Sequence, residues 1–235
     1  MTAFVLCHGA WSGGWGYRRV AEIIRASGHE VFIPTYTGVG ERSHLANPDI
    51  NLETHIQDVL GIIKWERIEE FVLVGHSYGG MVITGVADRE YKKIRRIVYL
   101  DAFLPENGQC LNDLTTPAQQ EQMFNLAKEQ GEGWRVPRPE GSIADTVSAE
   151  DREWIESLSS AQPLGTFTQK LKLEGNHLKI ADKVYVLATE KKATPFYQFA
   201  DWTRQQKDWQ TVELQIHHHL MQSLPKETAK IIMGK

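Results

Sequence analysis

Short uninterrupted apolar runs alternate along this chain with longer stretches whose apolar positions recur every three or four residues. Ala3-Phe4-Val5-Leu6-Cys7, Val31-Phe32-Ile33, Phe71-Val72-Leu73-Val74, Ile97-Val98-Tyr99-Leu100 and Val184-Tyr185-Val186-Leu187 are runs of the first kind. They read as strands buried on both faces of a parallel sheet. Val212-Glu213-Leu214-Gln215-Ile216 is read as one more strand. Between them the spacing predicts helices. One runs from about Trp15 to Ala26, with Val20, Ile23 and Ile24 on one face and Gly28 as a stop. A second starts at Asn51, an N-cap residue, and carries Ile56, Val59, Leu60 and Ile63. Others are expected from Gly80 to Tyr91, from Phe196 to Lys207 and from Lys226 onward. Strands and helices alternating at intervals of roughly 25 to 30 residues predict a doubly wound, mostly parallel sheet of about six strands.

The rhythm breaks after Pro105. Thr116-Pro117 opens a helix that Gly131 closes, and Ser148-Ala149-Glu150-Asp151 caps another that carries Trp154, Ile155 and Leu158. Between these lies a Pro/Gly-rich stretch, Gly133 to Gly141, and no strand is predicted from Leu104 to about Lys179. The expected organisation is a single α/β domain over residues 1–235. A small, mainly helical cap is inserted at about 105–179, after the fourth strand.

Composition mostly excludes. A net charge of −4 and a pI near 6.1 give no electrostatic case for nucleic acid or an anionic membrane as partner. No apolar stretch approaches a membrane span, and the opening apolar run is too short for a signal peptide. Two cysteines, Cys7 and Cys110, do not make a disulfide framework. The expected location is the cytoplasm.

The chemistry enters at Gly75-His76-Ser77-Tyr78-Gly79, between a buried run and the start of a helix. G-x-S-x-G in that setting is a nucleophile elbow, a sharp strand-to-helix turn that lifts a serine hydroxyl above the sheet edge. With Gly and Ser each near roughly 7% of residues, only about 0.1 chance matches are expected in a chain of this length. In open parallel sheets the ligand crevice lies beyond the carboxyl ends of the strands. The residues that follow the predicted strands are His8-Gly9-Ala10-Trp11, Ser77-Tyr78, Asp101, Glu190-Lys191 and His217-His218-His219. Serine, acid and histidine thus occur in the order of the α/β-hydrolases. The three histidines compete for the role of base. Neighbours on extended chain point to opposite sides, and no acidic or cysteine side chain has ligand spacing to them, so no metal site is read there. No cofactor is called for.

His8-Gly9-Ala10-Trp11 with Gly13-Gly14-Trp15, Gly75 to Met81, and His218 with Met221 and Pro225 together resemble one group. It is the small esterase group of the α/β-hydrolase superfamily that includes plant methylesterases, hydroxynitrile lyases and bacterial carbendazim (methyl carbamate) hydrolases. Thr37-Gly38-Val39-Gly40-Glu41-Arg42 and Tyr99-Leu100-Asp101-Ala102-Phe103 are most similar to the last type. The resemblance covers nearly the whole chain. It implies Ser77 as nucleophile, His218 as base, and the Tyr78 and Ala10 N–H groups as oxyanion donors, with Trp11 as the alternative to Ala10. In the plant enzymes the triad aspartate follows the next-to-last strand, where this chain has Lys191 preceded by Glu190. Asp101, at the end of the strand after the nucleophile, is therefore the expected acid and Glu190 the alternative. Trp11, Phe103 and His219 are expected to line the substrate pocket, with Trp15, Tyr78, Trp134, Trp154, Phe196 and Trp202 as further aromatic candidates. The implied activity is hydrolysis of a small, partly aromatic carboxylic or carbamic ester. Two alternatives differ in kind. A hydroxynitrile lyase carries a lysine after the triad histidine, where this chain has His219, and a non-catalytic small-molecule receptor would carry a damaged triad.

Overall fold

All five residues of the first strand, β1 (Ala3–Cys7), are buried. A strand with no exposed face needs helices on both sides, and the chain supplies them in turn. The computed structural model describes residues 1–192 and 194–235. After β1 come α1 (Arg18–Ala26), β2 (Glu30–Phe32), α2 (Leu52–Trp65), β3 (Phe71–His76), α3 (Gly79–Glu90) and β4 (Ile94–Leu100). The insertion that follows contains α4 (Pro117–Gln130), β5 (Arg135–Val136), α5 (Ala149–Leu158), β6 (Gln162–Pro163) and α6 (Gly165–Thr168). The chain then rejoins the sheet with β7 (Lys183–Ala188), α7 (Phe196–Arg204), β8 (Trp209–Leu214), α8 (Leu220–Ser223) and α9 (Pro225–Met233).

The six strands of the main sheet lie in the order β2-β1-β3-β4-β7-β8, each adjacent pair parallel. On one face Val20, Ala21 and Ile24 of α1 and Ala229 and Ile232 of α9 pack against Leu6, Val74, Val98 and Val186. On the other, Ile56 and Val59 of α2, Val82 and Val86 of α3 and Phe199 of α7 pack against Val5, Leu73 and Tyr99. This is the expected doubly wound α/β-hydrolase architecture. The insertion contributes Ala127, Val136, Phe167 and Leu171 to the same core. A smaller cluster of Ile143, Val147 and Ile155 packs on Trp15. Both long helices of the insertion carry the caps expected of them, Thr116 accepting from the Gln119 N–H and Ser148 from the Asp151 N–H.

Three expectations are corrected. The last strand runs from Trp209 to Leu214, not from Val212 to Ile216, because among the described residues it pairs with β7 alone and the six residues of that strand set its length. The helix expected to reach Lys207 ends at Arg204. The insertion, expected to hold no strand, contains a two-residue antiparallel ladder between β5 and β6, too short to leave a pattern in the sequence. Among the described residues no helix is long and apolar enough to cross a membrane.

Candidate active site

Ser77 stands between β3 and α3 with φ 54°, in the left-handed region that a side chain disfavours. Glycine is required on either side of it. A Cβ on Gly75 would lie 2.7 Å from the Gly79 carbonyl oxygen, and one on Gly79 2.5 Å from the Cys7 carbonyl oxygen. The turn is tied to the next strand: the Ser77 N–H donates to Leu100 O at 3.2 Å, and Ser77 O accepts from the Phe103 N–H at 3.1 Å. Trp11 (φ 59°) and Asp101 (φ 42°) adopt the same strained conformation. All three line one cavity, as expected where a fold holds functional groups in fixed positions.

Asp101 follows β4 directly and is clasped by the neighbouring strand. Its N–H donates to Val186 O at 2.7 Å, and its Oδ1 accepts the Ala188 N–H at 3.1 Å. Its Oδ2 lies 2.6 Å from His218 Nδ1, with the carboxylate side chain only 2% exposed. His218 Nδ1 is therefore the protonated nitrogen facing the acid, which leaves Nε2 of the neutral ring as a base. Phe196 stacks on the His218 ring (centroids 5.0 Å apart, 6° between planes), and His76 contacts it at 4.4 Å. His76 Nε2 also donates to the His218 carbonyl at 2.9 Å. Burial, then the nearby His218 and His219 rings, hold His76 well below the usual imidazole range, so it stays a neutral prop. Glu190 is placed elsewhere: its carboxylate accepts from the Thr146 hydroxyl of the insertion.

The backbone N–H groups of Ala10 and Tyr78 have no acceptor among the described residues. Trp11 differs, and this corrects its place as the alternative donor. Its N–H is already given to Gln162 Oε1 at 3.2 Å, and its indole Nε1–H to Val136 O at 2.8 Å. Tyr78 is fixed from its far end, where its hydroxyl donates to His55 Nδ1 at 2.9 Å and His55 Nε2 donates to Thr37 O at 3.0 Å. His8 is likewise internal, its Nδ1 donating to Gly9 O at 2.8 Å and its Nε2 accepting the Tyr36 N–H at 3.4 Å. Burial lowers His8 to about 4 and His55 to about 3, so both are neutral at physiological pH.

A cavity of about 260 Å³ lies between the strand ends and the insertion, with Ala10, Ser77, Tyr78, Asp101 and His218 among its lining. Trp11 and Phe103 also line it. Leu111, Met123, Phe167, Phe196 and Ile216 add most of the remaining apolar wall, and Lys191, an exposed residue, also lines it. His219, expected in this pocket, lines a smaller chamber of about 70 Å³ beside Ser77, and His217 faces the larger cavity instead. The reason is that the three histidines occupy a bend beyond the end of β8, so the alternation of an extended chain does not apply to them. Among the described residues no group of three or more His, Cys, Asp or Glu side chains is placed to hold a metal ion. Trp15 and Trp154 pack on each other at 5.9 Å, and Trp202 packs on Trp209 at 5.9 Å in a separate cleft. Phe167, Gln162 and Arg138 carry no motif. Only their position in the folded insertion brings them to the site.

Comparison with known proteins agrees with this architecture. A profile of the α/β hydrolase family matches residues 4–231. A carbendazim hydrolyzing esterase from Nocardioides sp. (strain SG-4G) is 42% identical over 238 aligned residues, covering 98% of both chains. Methylesterase 8 of Arabidopsis thaliana is 30% identical over 104 residues, 44% of this chain and 38% of that protein. Among solved structures, an extracellular α/β-hydrolase from a Paenibacillus species superposes with a TM-score of 0.88 at 26% identity, covering 100% of this chain and 98% of the other. Fold, strand-end geometry and full-length similarity lead to one conclusion: the chain belongs to the α/β-hydrolase family.

Proposed function

We propose that this protein is a serine hydrolase that cleaves a small, partly aromatic carboxylic or carbamic ester through an acyl-enzyme on Ser77. The observation that carries the reading is the 2.6 Å contact between His218 Nδ1 and Asp101 Oδ2 in the cavity that Ser77 also lines. In the first half-reaction His218 Nε2 takes the Ser77 hydroxyl proton as Oγ bonds to the ester carbonyl carbon. The oxygen that becomes negative is held by the N–H groups of Tyr78 and Ala10. The carbon–oxygen bond to the alcohol then breaks, and the leaving alkoxide takes the proton from His218. In the second half, water gives its proton to His218 and attacks the acyl or carbamoyl carbon. Ser77 leaves and recovers the proton, so one ester and one water become one acid and one alcohol. A carbamic acid so released loses carbon dioxide to give the amine. Asp101 keeps His218 in the tautomer this requires and stabilises the imidazolium.

An apolar, aromatic-walled cavity of about 260 Å³ supports a flat, compact substrate. The 42% identity to an esterase named for carbendazim supports a carbamic ester as readily as a carboxylic one. The two free, buried cysteines support a reducing, cytoplasmic setting. The test is labelling by a fluorophosphonate, which should modify Ser77 and be lost in Ser77→Ala. A panel of p-nitrophenyl esters, run beside an aryl methyl carbamate, then measures preference. No labelling and no turnover would favour a receptor.

A further inference from the structure

The smaller chamber, about 70 Å³, shares Ala10, Trp11, Ser77, Ser142 and His218 with the larger cavity, so the two meet at the nucleophile. Its volume is about a quarter of the larger cavity's, room for a small polar group such as a carboxylate. Its charge is unusual. Arg138 lines it, and among the described residues no Asp or Glu does. The Arg138 Nε–H donates to Ser159 Oγ at 2.9 Å, and its guanidinium stands 5.7 Å over the Trp11 ring. Glu156, the acid whose field reaches Arg138, is paired with Arg152 at 3.7 Å. Burial lowers Arg138 only to about 10, so it remains a cation at neutral pH. Two imidazoles on the wall, His76 and His219, add no charge at neutral pH: burial, foremost, holds both well below the usual range. His219 Nδ1, Trp15 Nε1 and Gln222 Oε1, all on residues of this wall, are buried without a hydrogen-bond partner among the described residues. Charges withdrawn from water are normally paired, and buried donors are normally satisfied. This chamber combines a cation that has no carboxylate partner among the described residues with an imidazole able to present an N–H.

We propose that the small chamber binds a carboxylate carried by the substrate, with Arg138 as its partner and His219 as a second donor, while the flat apolar part of the same molecule fills the larger cavity. The substrate so defined is an ester or carbamate with a short acidic arm. This deepens the serine-hydrolase reading and rests on it for the reaction, though not for the binding.

Binding is tested in Ser77→Ala by calorimetry, comparing 3-phenylpropanoate with 3-phenylpropanamide. A charge-assisted contact of this kind predicts about 10- to 100-fold tighter binding of the acid. Adding Arg138→Met should erase the difference, and adding Arg138→Lys should retain part of it, because an ammonium keeps the charge and loses the planar fork. Equal binding of acid and amide in Ser77→Ala overturns the proposal. So does an acid preference that survives in both Arg138 variants, since the anion would then sit at the oxyanion donors. In the intact enzyme, the ratio of kcat/KM for mono-p-nitrophenyl glutarate to that for p-nitrophenyl butyrate should fall about tenfold or more in Arg138→Met. Absence of turnover on both esters would refute the hydrolase reading, and the binding comparison would still decide the subsite.

Discussion

Asp101→Asn is the sharpest test of how the imidazole is held. The carboxylate has two engagements, Oδ1 accepting the Ala188 N–H at 3.1 Å and Oδ2 facing His218 Nδ1 at 2.6 Å. An asparagine in its place keeps its oxygen towards Ala188, because only an oxygen can accept that N–H. Its NH2 then faces His218 and forces Nδ1 to become the acceptor. The ring proton moves to Nε2, the nitrogen that takes the Ser77 proton in the proposed mechanism. The charge is lost as well. With roughly 4 Å between charge centres and an effective dielectric of about 20, the carboxylate favours the imidazolium by about 4 kcal/mol, about a thousandfold in rate. The wrong tautomer adds to this, so kcat should fall about a thousand- to ten-thousandfold. KM should change little, because Asp101 acts on the base and not on the bound ester. Steady-state hydrolysis of p-nitrophenyl acetate measures both constants. Glu190→Gln, run beside it, should retain kcat within about threefold. A loss below about tenfold in Asp101→Asn, or a larger loss in Glu190→Gln, would refute the assignment of the acid.

Two further outcomes concern stability. Asp151, 8% exposed, joins the insertion to the body: Arg19 Nη1 donates to it at 2.7 Å and to Gln222 O at 2.7 Å, and the Ser223 hydroxyl donates to Asp151 at 3.1 Å. Asp151→Ala should cost about 2 kcal/mol, because Arg19 keeps some access to water. Calorimetry should show Tm lower by about 4–8 °C, and an unchanged Tm would mean that the contact is neutral. Acid should also destabilise the fold through His8 and His55, whose values are lowered to about 4 and about 3. Their unfolded values lie near 6.5, so below that pH the unfolded chain binds protons that the native state refuses. The stability they contribute is complete above about pH 6.5 and falls by about 1.4 kcal/mol per pH unit for each histidine until the native value is reached. Denaturant titrations at pH 7, 6 and 5 measure this. A His55→Gln variant should show a slope smaller by about one proton, and an unchanged slope would refute the buried, neutral assignment.

Much of the sheet is legible in the sequence because its central strands are buried on both faces and so leave unbroken apolar runs, as in Phe71–Val74 and Val184–Leu187. The elbow is legible because steric crowding at Gly75 and Gly79 demands glycine at fixed offsets from Ser77. What escapes is set by tertiary pairing. The bounds of β8 depend on the length of β7, and the orientation of the three histidines depends on where that strand stops. Gln162, Phe167 and Arg138 belong to the insertion, where neither periodicity nor spacing says which side chain faces inward. The engagement of the Trp11 N–H by Gln162 across the fold has no counterpart in any local pattern.

That engagement has a mechanical consequence. Gln162 and Val136, which hold the two Trp11 N–H groups, belong to the two strands of the small ladder inside the insertion, and its register pairs them with each other. The insertion and the loop beside the nucleophile are thus latched at one residue. Lifting the insertion far enough to part that latch would release a backbone N–H next to Ala10, on the strained loop that lines the cavity. The covering segment is then a gauge of the loop's shape as well as a wall of the pocket. Substitutions at Gln162 would therefore be felt in the backbone beside Ala10, through the Trp11 N–H that its side chain holds.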